Sequence, residues 1–418
     1  MFYFVYYFQV RNGILKTLNH KGTKNTKKRD GATLIRYYTA GESHGQALVG
    51  IIEGIPAGLS ISSEYINHQL WRRQQGYGRG GRMRIETDKV EILSGVRFGK
   101  TLGTPIALMV RNKDWQNWTE RMSVEGSGKG IEKITLPRPG HADYVGSVKY
   151  GFDDIRNVID RASARETAMR VACCTFAKRL LEEFGIHIGS HVLSIGSVEL
   201  QKRTIIDKLI KKYSDEISKL SVDADKSEVR ILDTPTEAKA ISAIKTCKKK
   251  GDTLGGIFEV LVSGIPIGLG SYVHYDRKLD GQLAQAVMSI HAIKGVEIGD
   301  GFENACRFGS DVHDEMILKS GKIIRPTNRA GGLEGGVTNG ELLVIRGAMK
   351  PISTLANPLR TVDIKSKETQ RSRYERSDVC AVPAASVIGE AVVAPVVANA
   401  LLEKFGGDSV KELQKRLK

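Results

Sequence analysis

Arginine is set among glycine at several separate places in this chain, and that pairing limits the fold more than any single helix or strand pattern. Arg72, Arg73, Arg79, Arg82 and Arg84 fall within 13 residues, interleaved with Gly76, Gly78, Gly80 and Gly81. Arg156, Arg161 and Arg165 surround Ser163. Arg325 and Arg329 precede a run from Gly331 to Gly336, Lys350 to Thr354 puts a cation and two hydroxyls in a proline-stiffened loop, and Arg376-Ser377-Asp378 follows. A guanidinium grips carboxylate or phosphate with a two-pronged fork, and glycine lets the backbone close on the same anion. Several such loops imply more than one phosphate or carboxylate bound at once. Neither a Walker loop nor a metal-ligand cluster accompanies them. RNA binding is the rival reading, but Tyr77 is the lone aromatic between Arg72 and Arg84, too few for a base-stacking platform.

The charge agrees. There are 63 Lys+Arg against 47 Asp+Glu in 418 residues, a formal +16, which suits small anions or nucleic acid. Residues 1–33 contribute seven of those cations against Asp30 alone. Their apolar start precedes the positive charge, the reverse of a secretory signal. Residues 1–32 therefore read as a disordered or artefactual extension, outside the fold. Cysteines 173, 174, 247, 306 and 380 are an odd number without a C-x-x-C pair, which fits reduced thiols and a cytoplasmic setting. No apolar run approaches the ~18 residues of a membrane span.

From Leu34 the pattern gives strands at 34–39, 46–54, 90–96 and 104–110. It gives a helix over 63–75 with Tyr65, Ile66, Leu70 and Trp71 inward. Ser163-Ala-Arg-Glu166 reads as a capping box opening a helix that Gly185 stops. Pro383 and Gly406 bracket another helix with Pro395 inside it, predicting a kink. Residues 201–250 read as peripheral, solvated helices. Gly99–Gly103 echoes Gly251–Gly255, and Gly54–Gly58 echoes Gly264–Gly268, hinting at an internal duplication. Strands grouped as hairpins favour an antiparallel α+β fold.

Three motifs mislead. Gly41-Glu-Ser-His-Gly45 matches a nucleophile elbow, but a strand follows it rather than a helix. Gly76 to Gly81 matches a dinucleotide fingerprint without its strand–loop–helix setting. His187 and His191 share a strand face but have no third ligand nearby. By contrast, Arg138-Pro-Gly-His141-Ala-Asp143 sets a histidine in a rigid turn two residues from a carboxylate, a natural general acid for an anionic leaving group.

These motifs in their order, together with Arg161-Ala-Ser-Ala-Arg-Glu-Thr167, Lys294-Gly-Val-Glu-Ile-Gly-Asp-Gly301 and Val382-Pro-Ala-Ala385, resemble the chorismate synthase family from about Leu34 to the end. The resemblance implies a lyase that eliminates phosphate from 5-enolpyruvylshikimate 3-phosphate in an anti-1,4 sense to give chorismate. It would use reduced FMN without net redox change, at the last common step towards the aromatic amino acids. It also implies one catalytic domain over 34–418, a sandwich of antiparallel sheets with helices outside, and a cytoplasmic homotetramer with no membrane or nucleic-acid partner. Residue by residue, His141 would protonate the departing phosphate, His44 would manage protonation at the flavin ring, and Asp378 would help take the C6 proton. Arg73, Arg79, Arg138 and Arg165 would grip substrate or NADP, with NADPH a candidate reductant. Arg161, Ala162, Ser163, His291, Ala292, Gly335, Lys350, Pro351, Ile352, Ser353, Thr354 and Arg376 would hold the flavin. Ala162 stands where many relatives have Ser, and His291 where Asn or Pro is usual.

Overall fold

The computed structural model describes residues 34–80, 87–200, 203–213 and 216–417. The extension at 1–32 and the cluster members Gly81, Arg82 and Arg84 lie outside the described residues. The elements that frame the site run in this order: β1 (Arg36–Ala40), β2 (Ala47–Glu53), α1 (Ser63–Gln74), β3 (Val90–Ile92), β4 (Ile106–Arg111), α2 (Asp143–Tyr150) and α3 (Thr167–Glu182). Then come β5 (His187–Ile195), β6 (Val198–Glu199), α4 (Arg203–Tyr213), α5 (Ile217–Asp225), α6 (Thr234–Lys249), β7 (Gly256–Ser263), α7 (Leu279–Met288), β8 (Ile293–Ile298), β9 (Leu343–Met349) and α8 (Val382–Phe405).

Two antiparallel sheets carry the fold. The first has strand order β1-β2-β4-β3, and the second β8-β9-β7-β5-β6. In β2, Leu48 and Ile52 are buried while Val49 and Ile51 are exposed. That alternation gives the first sheet one face for the core and one open face. The buried face receives α3. Gly50 lies under it, and a Cβ there would sit 2.5 Å from Cys173 Sγ and 2.6 Å from Met169 Sδ. Only glycine lets helix and sheet approach so closely.

The second sheet receives α8 in the same way. Gly389 of α8 faces the Phe258 ring of β7, 2.6 Å from where its Cβ would be. Helices α3 and α8 pack on each other. The central helices therefore lie between the sheets, which corrects the expectation of helices outside. The cause is composition: α8 is apolar on every side, so no face of it suits water. It is long and apolar enough to cross a membrane, against the expectation that no run would be, yet 89% of its apolar window is buried within the protein. The helix continues through Pro395.

Three other readings change. Trp71 is exposed, and the inward face of α1 is Ile66, Gln69, Leu70, Arg72 and Arg73. Ser163 caps only a short 3-10 turn: its Oγ accepts from Arg165 N at 3.3 Å, while Glu166 turns away to Thr39 and Arg170. Nor is 201–250 merely solvated. Tyr213, Ile217 and Leu220 form a buried cluster with Leu261 and Val344 on the second sheet.

Arg72 explains why a polar residue points inward. Glu390, on α8 and 1% exposed, accepts two hydrogen bonds from Arg72 (2.7 and 2.8 Å) and others from Lys178 (2.6 Å), Ser190 (2.7 Å) and Ser221 (3.0 Å). Arg230 joins it at 3.5 Å. A second charged row crosses the second sheet in register, His191–Glu259–Arg346–Glu297, with links of 3.0, 2.8 and 3.0 Å. Buried ions survive because each is paired and hydrogen-bonded. His191 thus has a structural partner, and among the described residues no group of three or more metal-type ligands occurs.

Candidate active site

A cavity of about 610 Å³ opens where α1, the α3 entry, the β8 and β9 ends and the start of α8 meet. Among the described residues seven cations line it (Arg73, Arg79, Arg138, Arg165, Lys294, Lys350 and Arg376) against two carboxylates, Glu375 and Asp378. His44, His141 and His291 complete its ionisable wall. The first sheet supplies His44, and α1 supplies Arg73. The second sheet and its loops supply His291, Lys294 and Lys350.

The lining histidines His44 and His141 both belong to acid–imidazole pairs. His141 Nδ1 meets Asp143 Oδ1 at 2.5 Å. Asp143 is fully buried and also accepts from Arg138 Nε (2.8 Å) and Arg138 N (3.0 Å). Burial would raise its carboxyl, but the bonds from His141 and Arg138 outweigh burial and hold it well below the ordinary range. The Pro-Gly turn shapes this loop, with Gly140 at φ +78°. With Nδ1 given to Asp143, His141 offers Nε2 to the cavity. Arg138 Nη1 continues to Thr354 Oγ1 at 2.9 Å, tying the turn to the Lys350 loop.

His44 is held the same way. Its Nδ1 lies 2.5 Å from Asp160 Oδ1, and its ring packs on Trp118 with centroids 3.9 Å apart. Asp160 also accepts from Ser43 Oγ at 2.5 Å. Burial pushes the Asp160 carboxyl up, and the His44 and Ser43 hydrogen bonds more than offset it. Ser43 of the elbow-like motif is therefore a positioning group. Gly41 has φ +103°, and a Cβ there would strike Ala47 O at 2.3 Å.

The arginines are built in. Arg165 donates to Asp88 Oδ1 (2.5 Å) and Asn112 (2.9 Å). Arg73 donates to Thr167 Oγ1 and Ala164 O, both at 2.9 Å. Burial pushes the Arg73 guanidinium down to about 10 despite Asp88, with Arg79 and Arg165 adding to the drop. Its Nη1 is buried with no hydrogen-bond partner among the described residues. Asp378 accepts from Gly80 N at 2.6 Å and pairs with Arg79 at 3.3 Å. Lys350 Nζ donates to Ser353 Oγ (3.0 Å) and Gly140 O (3.1 Å), and burial lowers its pKa, as does Lys294 nearby. His291 Nδ1 is also buried with no hydrogen-bond partner among the described residues, beside Ala292 at φ +65°. Burial pushes the His291 ring below its ordinary value against the pull of Glu166.

The cavity gathers His44, His141, Asp378, Arg73, Arg79, Arg138, Arg165, Ala162, Ser163, His291, Ala292, Lys350, Ile352, Ser353, Thr354 and Arg376. Three expected contacts do not line it. Arg161 turns back to Thr39 O (2.8 Å) and Gly41 O (3.2 Å), Pro351 only frames the loop, and Gly335 sits in a hairpin beside Tyr272. Sequence reasoning missed Asp160, Asp88 and Asn112, which orient the cavity's groups from distant segments.

A reduced flavin fits this donor set on two counts. The excess of cations can hold a phosphate and an anionic ring, and two buried nitrogens, Arg73 Nη1 (3.7 Å from Asp88 Oδ2) and His291 Nδ1, make no hydrogen bond among the described residues.

Comparison with known proteins points one way. The family model described as chorismate synthase matches residues 35–402. A protein of Chlorobium phaeovibrioides named chorismate synthase is 58% identical over 387 residues, covering 92% of this chain and 97% of its own. One from Chlorobaculum tepidum is 57% identical over the same length and shares. A solved structure described as the crystal structure of chorismate synthase superposes with a TM-score of 0.74 at 45% identity, over 92% of this chain and 97% of that one.

Proposed function

Because the chain belongs to the chorismate synthase family, we propose that its cationic cavity is the site at which phosphate leaves 5-enolpyruvylshikimate 3-phosphate. The chain is a lyase of that family, forming chorismate on the route to the aromatic amino acids. The family uses reduced FMN, which when bound supplies transient electron density to the breaking C–O bond.

The chain's own residues have these roles. Arg73, Arg79, Arg138 and Arg165 hold the substrate's carboxylates and phosphate away from water, where their attraction is strongest, and Lys350 holds the flavin. His141, locked by Asp143, holds the proton that the departing phosphate oxygen takes. Asp378, oriented by Gly80 N and Arg79, helps take the C6 proton. His44, set by Asp160, governs protonation beside the ring. Ala162, Ser163, His291, Ala292, Ile352, Ser353, Thr354 and Arg376 line the flavin's side. Arg161, Pro351 and Gly335 are not assigned contacts, since the cavity does not include them.

The observation that carries this reading is the convergence of both acid–imidazole pairs and Asp378 on one cavity from segments 44, 141 and 378. Replacing His141→Ala is expected to lower turnover ~10²-fold or more with FMN binding retained. Full activity in that variant would sink the assignment. An anaerobic chorismate assay with chemically reduced FMN, repeated with NADPH and oxidised FMN, decides whether NADPH serves as reductant.

A cytoplasmic homotetramer and a single catalytic unit over 34–418 belong to the same proposal. The open face of the first sheet, with Tyr38 61%, Val49 36% and Ile51 46% exposed, supports assembly. That each sheet owns one central helix supports a duplicated ancestry.

A further inference from the structure

A second cleft, of about 510 Å³, lies outside the site described above. We propose that it binds a small, non-aromatic phosphate ester, and that its occupancy is felt at the Arg79–Asp378 pair of the catalytic cavity.

The lining sets the ligand class. Lys239, Ser242 and Thr246 of α6, Lys250 just past its end, Ser197 of the β5–β6 turn and Thr253 are part of it. Two lysines and four hydroxyl-bearing residues thus line the cleft. Among the described residues the lining's cations are both lysines rather than arginines. Lysine is a point charge that takes a phosphate oxygen from any direction. The lining has no aromatic side chain either, so a base or ring would find nothing to stack on. Asp252 is the one acid, and its Oδ1 already accepts from Thr253 N at 2.7 Å. The volume lies within the ~300–1,000 Å³ of small-molecule sites.

The wall of the cleft supplies the coupling. Thr253 Oγ1 donates to Ile352 O (2.7 Å), in the loop that carries Lys350 and Thr354. Leu254 N donates to Val379 O (2.8 Å), next to Asp378, and Val379 N donates to Gly78 O (2.8 Å), next to Arg79. Ile244 of α6 packs on Gly78, where a Cβ would lie 3.0 Å from it. A ligand that draws α6 towards Thr253 thus acts on both cavity loops through direct bonds. Any change in cavity affinity must be returned to the cleft by linkage.

The coupling rests on the cavity reading; binding in the cleft does not. Equilibrium dialysis of the full chain with radiolabelled glycerol 3-phosphate tests the binding, beside the Lys239→Ala/Lys250→Ala double variant. The native protein is expected to hold two molecules per chain, one in each site. The variant should hold one, with the lost site weakened ~10-fold or more. Its chorismate formation without glycerol 3-phosphate should be unchanged, and only the native rate should respond to glycerol 3-phosphate beyond competition at the cavity. Equal stoichiometry and affinity in both proteins would overturn the site. Equal binding of inorganic phosphate would overturn the ester class, and identical rate responses would overturn the coupling. If neither protein formed chorismate, the cavity reading would fail while the stoichiometry still judged the cleft.

Discussion

At the scale of single residues, the cavity's His141 and His44 are each held by a carboxylate that does not line it. Asp143 holds His141 by one oxygen while Arg138 saturates the other. Asp143→Asn keeps the shape but no longer favours the tautomer with Nε2 open to the cavity. Turnover is expected to fall ~10–100-fold while substrate KM moves little, as for other groups that orient a histidine. Steady-state kinetics at neutral pH checks this, and an unchanged kcat would remove the positioning role. His44 and His141 were both legible in sequence as motif histidines. Asp143 was legible too, because it lies two residues away. Asp160 was not, because 116 residues separate it from His44, and periodicity carries no information over that distance. Arg72 and Arg73 show the same limit. Their burial depends on Glu390 and Thr167, contributed by helices far along the chain.

At the scale of elements, buried ion pairs join helix to helix and strand to strand. Burial raises the carboxyls of Glu390 and Glu259, but their cation partners outweigh it and both end below the ordinary value. A depressed folded pKa gives stability that is present above the unfolded value of ~4.3 and is lost as pH falls below it. Acid titration of the native protein followed by urea unfolding should therefore show a steep loss below about pH 4.5. Glu259→Gln should flatten that loss. Glu390→Ala leaves Arg72, Lys178 and Arg230 facing one another in the core, and should cost ~3–5 kcal/mol in the same assay. A loss under 1 kcal/mol would mean the cluster relaxes around water. Helices α1, α3 and α8 were legible from apolar spacing, glycine stops and a proline start. The capping box failed because Glu166 found better partners in Thr39 and Arg170. The segment 201–250 misled because its lysines outnumber the few apolar residues that cover the second sheet.

At the scale of the whole molecule, antiparallel α+β was legible from hairpin-like strand groups, but the layering was not. Composition shows that α8 has no polar face. It does not show that the helix fills the space between two sheets. The open face of the first sheet makes assembly testable. Native mass spectrometry is expected to give four times 45.9 kDa, and Val49→Asp with Ile51→Asp should shift the population to smaller species. A native protein running as a monomer would contradict the homotetramer. The position of α8 also sets a schedule for biosynthesis. Its 24 residues begin at Val382, so His44, His141 and Asp378 all leave the ribosome before the helix that joins the two sheets. Until then only α3 is present to fill the space between the sheets, so a ribosome paused at Ala381 should hold a protease-sensitive chain, and release of the completed polypeptide should confer resistance in one step.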